Sequence, residues 1–203
     1  MHEIGLGRAA AVAVPIIVLL LAGLFGISLA LSVLLGFPIS LGLPFALRVV
    51  GGVLVIVGLA VAGWTFRYRH QSEMLVSSYF TFTKLFERRP IADRLGRKEP
   101  LVIVGPQKYT RNPLYFGVIV ITFGWALGGG YTFVLVAALV LSFWFRVILI
   151  PFEERELSAL FGEDYARYRA QVPMLVPFTM RKKAAAAQTR GRELLGSGPT
   201  RGG

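Results

Sequence analysis

The chain has 203 residues, of which 55% are hydrophobic and only 16% are charged, and its net charge is +11. Soluble domains carry about 25% charged residues, so this chain has too little polar surface to cover a water-soluble globule. It contains no cysteine and only two histidines, which excludes disulfides and thiolate nucleophiles and predicts that there is no metal site.

Three stretches of the chain carry no charge: Ala9–Leu47, Val49–Phe66 and Asn112–Phe145. About 20 apolar residues are needed for a helix to cross a hydrocarbon core of about 30 Å. The first stretch is longer than the apolar region of a signal peptide, which is about 7–15 residues, so we interpret it as a retained span. The sequence therefore predicts an integral membrane protein.

The N-terminal region, residues 1–66, is predicted to hold two spans, roughly Ala9–Leu35 and Phe45–Phe66, joined by an uncharged turn. Glycines in the second span would let another helix approach closely, which is a packing device. Residues 67–104 form a basic connection, and the apolar residues of its first half predict a helix lying in the membrane interface.

A glycine triplet, Gly128-Gly129-Gly130, interrupts the 34 uncharged residues of Asn112–Phe145. A single helix would be too long for a bilayer at about 1.5 Å per residue, and three glycines are costly inside a helix. We therefore predict a hairpin with arms Pro113–Leu127 and Tyr131–Phe152. Because its arms are antiparallel, the hairpin would bring residues 109–115 beside residues 146–154.

Beyond the hairpin, residues 153–172 show helical periodicity and predict an interfacial amphipathic helix. The apolar positions that would share a face are Leu157, Leu160, Phe161, Tyr165 and Tyr168. Residues 179–203 are basic and rich in Ala and Gly, which predicts a disordered tail. The fold class is all-α: a polytopic membrane helix bundle of about four spans, possibly five, whose region 105–178 holds the hairpin and the candidate site.

The distribution of basic residues predicts how the chain is oriented. Residues 67–111 contain ten Lys or Arg against four Asp or Glu, whereas the turns near residues 36–44 and 128–130 carry no charge. Under the positive-inside rule both termini face the cytoplasm. The basic face suits anionic lipid headgroups and does not call for nucleic acid.

Two segments carry a resemblance to a known group of enzymes. Residues 105–117, GPQKYTRNPLYFG, resemble the GPY-x-x-x-RHP-x-Y-x-G signature of the isoprenylcysteine carboxyl methyltransferase and phospholipid N-methyltransferase group. Downstream, Glu153-Glu154 followed by Phe161-Gly162, Tyr165, Tyr168 and Val172-Pro173 is similar to that group's closing signature.

The resemblance implies an integral membrane enzyme that binds S-adenosylmethionine at the cytoplasmic face and methylates a lipid, an isoprenoid or a lipidated acceptor that enters from the bilayer. Glu153 and Glu154 would receive the ammonium of the methionine moiety. The remaining cofactor-binding candidates are Lys108, Tyr109, Pro113, Leu114, Tyr115 and Gly117. The catalytic candidates are Arg111, Asn112 and Arg169, and Tyr165 is a candidate near the acceptor.

Arg146 is a further acceptor-binding candidate. Its position inside the last span allows two interpretations. It lies about two turns before Glu153 and could share a face with it, with Pro151 bending the helix between them; alternatively, Arg146 reaches the interface as an ordinary charged side chain. Glu153-Glu154 could likewise be a charge pair at a helix end, and Tyr109 and Tyr115 could be interfacial aromatics.

Two departures from the family pattern leave other functions open. Asn112 stands where the family has a histidine, and residues 77–100 lack the expected Gly/Thr pattern. One alternative is a membrane sterol- or steroid-type reductase that binds NADPH near a related Arg-Asn-Pro-x-Tyr element. The other is a non-catalytic accessory protein with the same fold. The sequence does not identify the acceptor or the oligomeric state.

Overall fold

The computed structural model describes residues 6–68, 101 and 103–177. The predicted interfacial helix of the connection, His70 and the predicted disordered tail lie outside these residues.

The described chain is helical and apolar, and a helical membrane bundle is confirmed. Three helical stretches are long and apolar enough to cross a membrane: Val14–Leu34, Phe45–Tyr68 and Thr132–Gln171. The elements in chain order are α1 (Leu6–Leu34), α2 (Phe45–Tyr68), a 3₁₀ turn (Gly105–Lys108), α3 (Pro113–Gly129), α4 (Thr132–Trp144), a π-helical turn (Phe145–Leu149) and α5 (Ile150–Gln171).

Helix α3 is the short arm of the predicted hairpin, and it packs antiparallel along α2 through glycines of both helices. A Cβ on Gly51 of α2 would lie 2.3 Å from the backbone nitrogen of Gly128, and one on Gly58 would lie 2.8 Å from the carbonyl oxygen of Gly117. The two backbones are therefore in direct contact, as small residues allow in membranes. Because of this close packing α3 lies at the same depth as α2.

The predicted hairpin turn is confirmed at Gly130, which ends α3 in the left-handed conformation with φ 66°. The turn is tied to the α1–α2 loop, because Leu41 N–H donates to the Gly130 carbonyl at 2.7 Å and Thr132 N–H donates to the Ile39 carbonyl at 3.1 Å. These backbone bonds join the two helical hairpins at one end of the bundle, called here the turn end. The other end, which carries Pro113 and Glu153, is called the site end.

The last part of the chain differs from the prediction of a span to Phe152 followed by a separate amphipathic helix. Helical structure is continuous from Thr132 to Gln171, and it is irregular at two places. The π-helical turn precedes Pro151, whose ring cannot fit a regular turn because it lacks an N–H and crowds the preceding carbonyls. Gly162 has non-helical angles, φ 50° and ψ −121°.

The break at Gly162 changes which side chains of α5 share a face. Tyr165, Tyr168 and Val172 form a buried cluster on which Leu157 and Phe161 pack. Leu160 is not among the residues packed on it, so that part of the predicted face is wrong. Because Gly162 lies between Leu160 and Tyr165, its non-helical angles change the phase of Tyr165 and Tyr168 relative to Leu160.

Helix α1 covers the other side of the hairpin. Its Leu24 packs on the buried cluster formed by Leu141, Phe145 and Ile150, and the ring of Phe25 lies 5.3 Å from that of Trp125. The buried Ser32 hydroxyl is satisfied within the helix, donating to the Ser28 carbonyl at 2.8 Å.

The contact between α2 and α3 is tested by two neighbouring glycines. We expect Gly51→Ala to destabilise the protein by about 1–3 kcal/mol, the usual cost of overpacking, because the new methyl group would meet the α3 backbone. Gly52→Ala is the matched control, since a Cβ there meets nothing within 4 Å. Thermal unfolding in detergent should show a lower Tm for Gly51→Ala alone. Equal Tm values would contradict the close packing.

Candidate functional site

The two sequence segments meet at the site end, as the hairpin geometry predicts. Tyr115, on the first turn of α3, donates its hydroxyl to Glu153 Oε1 at 2.6 Å. The Tyr115 ring packs on Phe145, with centroids 4.7 Å apart. Phe145 belongs to the π-helical turn, so the irregular part of the last helix supports the side chain that holds Glu153.

Glu154 belongs to a buried ion pair next to this contact. Arg111 donates through Nε and Nη2 to Glu154 Oε1, each at 2.8 Å, and both side chains are only 5% exposed. Arg169 lies on the exposed side, with its Nε 3.8 Å from Glu154 Oε2. The Arg111 cluster, meaning Arg111, Glu154 and Arg169, therefore contains two of the three predicted catalytic residues.

Arg111 also holds the chain that follows α5. Its Nη1 donates to the carbonyls of Arg169 at 2.7 Å and Val172 at 2.9 Å, and its backbone N–H donates to the Pro173 carbonyl at 2.9 Å. Bonds between charged and neutral groups are worth about 1.5–3 kcal/mol each. With its guanidinium engaged in this way, Arg111 is placed to hold the site together.

Asn112, the third predicted catalytic residue, also bonds the chain that follows α5. Its Nδ2 donates to the Met174 carbonyl at 2.9 Å, while the Thr110 hydroxyl donates to the Leu175 carbonyl at 2.8 Å. Asn112 stands immediately before Pro113, the first residue of α3, and its side chain does not cap that helix. Its amide therefore crosses to the segment 172–175, called here the strap.

A group of buried aromatic residues lies between the 3₁₀ turn and α5. Tyr168 donates its hydroxyl to the Gln107 carbonyl at 2.8 Å, and the Tyr165 and Tyr168 rings lie 6.0 Å apart. Two buried polar atoms, Gln107 Oε1 and the Tyr165 hydroxyl, have no hydrogen-bond partner among the described residues. A buried polar group in that state costs about 1–3 kcal/mol, so each of these atoms needs a water or a ligand as its partner.

The remaining cofactor-binding candidates are spread around this site. Lys108 is exposed in an open groove of about 340 Å³ that also includes Arg167 and Tyr168. Tyr109 is half-exposed, and its ring lies 5.9 Å from that of Trp64 on α2. Pro113 is buried and Leu114 half-buried at the start of α3. Gly117 instead faces α2, where its role is packing.

Arg146 lies on the π-helical turn and is exposed. Among the described residues no carboxylate forms an ion pair with it, so a pair with Glu153 is not observed. A π-helical turn holds one more residue than an α-helical turn, which rotates the side chains that follow by about 100°. Its neighbours Phe143 and Val147 are 65% and 50% exposed, so Arg146 lies on an outward-facing apolar surface.

Sequence reasoning missed four contributors to this site: Gln107, Thr110, Phe145 and Met174. Thr110 carried a usable signal, because it precedes Arg111-Asn112 in a run of hydrogen-bonding side chains before a proline. The other three carried none, since an isolated apolar or amide side chain does not reveal its partner.

The fold and the site together define a helical integral membrane protein with acidic, basic and aromatic groups gathered at one end of the bundle. The sequence profile of the phospholipid methyltransferase family matches residues 46–164, which is more than half of the chain. The chain belongs to this family, and the resemblance predicted from residues 105–117 and 153–173 is confirmed.

Individual relatives carry methyltransferase names. A methanethiol S-methyltransferase of Crocosphaera subtropica is 32% identical over 136 residues, covering 64% of this chain and 49% of the relative. Methanethiol S-methyltransferase 1 of Bradyrhizobium diazoefficiens is 29% identical over 62% of this chain and 42% of its own. A protein-S-isoprenylcysteine O-methyltransferase of Schizosaccharomyces pombe is 34% identical over 43% of this chain and 37% of its own.

The matched segments span less than half the length of these curated relatives. No solved structure matches the chain.

The buried and exposed ion pairs of α5 provide a matched test of the Arg111 cluster. We expect Glu154→Gln to destabilise the protein by about 3–5 kcal/mol, because it leaves the Arg111 charge buried without a counter-ion. Arg167→Gln breaks the Arg167–Asp164 pair, whose side chains are 73% exposed, and should cost at most about 1 kcal/mol. Thermal unfolding in detergent measures both. Equal small losses would mean that Arg111 does not hold the site together.

Proposed function

We propose that this protein is an integral membrane S-adenosylmethionine-dependent methyltransferase that acts on a lipid, an isoprenoid or a lipidated acceptor at the cytoplasmic face. Family membership supports the reaction class. The observation that carries the assignment to this site is the Tyr115–Glu153 hydrogen bond of 2.6 Å, because it joins the two segments from which the resemblance was drawn.

The residues at the site suit the charges of this cofactor, which has a carboxylate, an ammonium and a sulfonium. When bound, S-adenosylmethionine supplies a methyl group already activated by a positively charged sulfur. Glu153 holds the ammonium, since a carboxylate can accept several hydrogen bonds and Tyr115 orients one of its oxygens. The aromatic rings of Tyr109 and Trp64 favour a neighbouring cation.

Glu154 is assigned a structural role in this proposal. Its carboxylate already faces the Arg111 guanidinium at 2.8 Å in a buried environment, so its charge is compensated within the protein. Glu154 therefore fixes the start of α5, and Glu153, which the Tyr115 hydroxyl orients, is the carboxylate assigned to the cofactor. Arg111 and Asn112 position the strap, and neither acts as a base.

One exposed residue, Arg146, and one buried residue, Tyr165, receive the acceptor. Arg146 is the only charged residue between Arg111 and Glu153, and it lies among exposed apolar side chains. It contacts an anionic group of an acceptor held in the membrane. The buried Tyr165 hydroxyl, which has no hydrogen-bond partner among the described residues, donates to the acceptor's polar end. The protein thereby aligns acceptor and methyl group and keeps water away, which is the main requirement for a displacement of this kind.

Cofactor binding to the purified full chain tests the proposed function. We expect saturable binding of S-adenosylmethionine and S-adenosylhomocysteine by calorimetry in detergent, and none of NADPH. Glu153→Gln should weaken S-adenosylmethionine binding at least severalfold, because the ammonium loses its carboxylate, and Tyr115→Phe should weaken it less. The control is Glu163→Gln, on the exposed side of α5.

Two results would contradict this proposal. Saturable binding of NADPH without binding of the adenosyl ligands would replace it with the reductase alternative. If both Glu153→Gln and Glu163→Gln bind S-adenosylmethionine with wild-type affinity, the cofactor does not bind at this end of the bundle.

The orientation in the membrane has its own test, because the chain lacks cysteine and can carry single reporters. Ser40 is exposed at the turn end and Glu163 at the site end. In intact cells we expect a membrane-impermeant maleimide to label Ser40→Cys, and to label Glu163→Cys only after lysis. The reverse pattern would place the site on the outer face.

A further inference from the structure

The strap, Val172–Leu175, crosses the site end after α5. The helix ends at Gln171, and Val172 takes an extended conformation with φ −115° and ψ 131°. Pro173 then prevents the helix from resuming. The chain is thereby turned back over the start of α3, where residues 110–112 contact it.

The bonds that hold the strap in place all end on its backbone. Side chains of Thr110, Arg111 and Asn112 donate to the carbonyls of Val172, Met174 and Leu175, and the Arg111 N–H donates to Pro173. These bonds do not depend on which side chains the strap carries. The side chains of Met174 and Leu175 are therefore free to serve another purpose.

Both side chains point into the apolar cluster beneath the site. Met174 and Leu175 pack on Leu141, Phe145 and Ile150, and Tyr115 packs on the same cluster. Since the Tyr115 hydroxyl donates to Glu153, the two strap side chains lie one side-chain layer from the proposed cofactor carboxylate. Leu24 of α1 contacts the cluster too, so the cluster extends to the helix that borders the bilayer.

We propose that Met174 and Leu175 are specificity-determining residues that close the apolar end of the acceptor site and limit the length of the acceptor's hydrocarbon group. This inference rests on the proposed function and deepens it. Met is unbranched and flexible, and it fills irregular gaps in a core. A longer acceptor group has to displace these side chains, whereas a shorter one fits beside them.

Acceptor chain length is the variable that tests this role. Two probe series cover the acceptor chemistry named in the relatives: straight-chain alkanethiols and S-alkyl cysteines of increasing length. In each, the methyl carbon leaves the cofactor sulfur and bonds to the acceptor sulfur or carboxylate oxygen, and an acceptor thiol releases its proton to water. The measured quantity is kcat/KM against chain length for the full-length protein in detergent.

Substitutions that make the side chains of Met174 and Leu175 smaller or larger should move the optimal acceptor chain length in opposite directions. Met174→Ala and Leu175→Ala should each move the optimum to acceptors longer by two or three methylenes, with roughly a fourfold gain in kcat/KM for each methylene newly buried. Met174→Phe should move it to shorter acceptors. In a variant that merely folds poorly, kcat/KM would fall for every acceptor alike, and the optimal chain length would stay the same.

Val55→Ala provides the control, because Val55 is half-buried on α2 against Gly124 of α3 and belongs to neither the Leu141 cluster nor the Tyr165 cluster. Its optimum should match that of the wild type. An unchanged optimum in all the strap variants, with S-adenosylmethionine binding intact, would overturn the inference and leave the proposed function standing. Transfer to neither series by protein that binds S-adenosylmethionine would overturn it as well. Failure of the wild-type protein to bind S-adenosylmethionine would refute the proposed function itself.

Discussion

The site end depends on one buried ion pair, in which Arg111 and Glu154 are each 5% exposed. Both charges have left water, so each needs its partner and its hydrogen bonds to be tolerated there. The guanidinium meets this need because its N–H donors point in several directions. Two of its nitrogens bond Glu154, and the third donates to two carbonyls at the end of α5. Three segments that are distant in sequence are thereby fixed at one point.

The ion pair forms only because the packing of the helices places Arg111 and Glu154 at the same end of the bundle. The glycines that α2 and α3 share bring their backbones into contact, which fixes the depth of α3. The left-handed Gly130 and the extended Tyr131 then reverse the chain, so α4 begins where α3 ends. Antiparallel arms of this kind return the later segment to the level of the earlier one, and the residues after Pro151 reach those around Arg111.

Much of this arrangement could be predicted, because it follows from periodicity and chain reversal. Uncharged runs indicated the spans, the glycine triplet indicated the hairpin, and antiparallel geometry indicated that residues 109–115 would lie beside 146–154. The sequence is less informative where the outcome depends on a choice among partners. Asn112 and Arg111 carry groups suited to catalysis as well as to holding a segment of backbone, and only the structure shows that both bond the strap.

Local irregularities were the other feature that the sequence did not indicate. The phase of Arg146 relative to Glu153 assumed a regular helix, whereas the π-helical turn Phe145–Leu149 interrupts it. The apolar face of 157–168 assumed regularity as well, and Gly162 interrupts it with a backbone conformation that residues other than glycine rarely adopt. Both irregular sites lie within the segment that supports the candidate site, which is where deviations from local rules are concentrated in proteins.

The adjacent carboxylates Glu153 and Glu154 illustrate how a helix separates two roles between chemically identical neighbours. Consecutive residues of an α-helix point about 100° apart, so one carboxylate can face the interior while the next faces the side. Here Glu154 turns towards Arg111 and has its charge compensated, whereas Glu153 turns towards the Tyr115 hydroxyl, a neutral donor. The step from Glu153 to Glu154 thus ties the start of α5 to Tyr115 on one side and to Arg111 on the other.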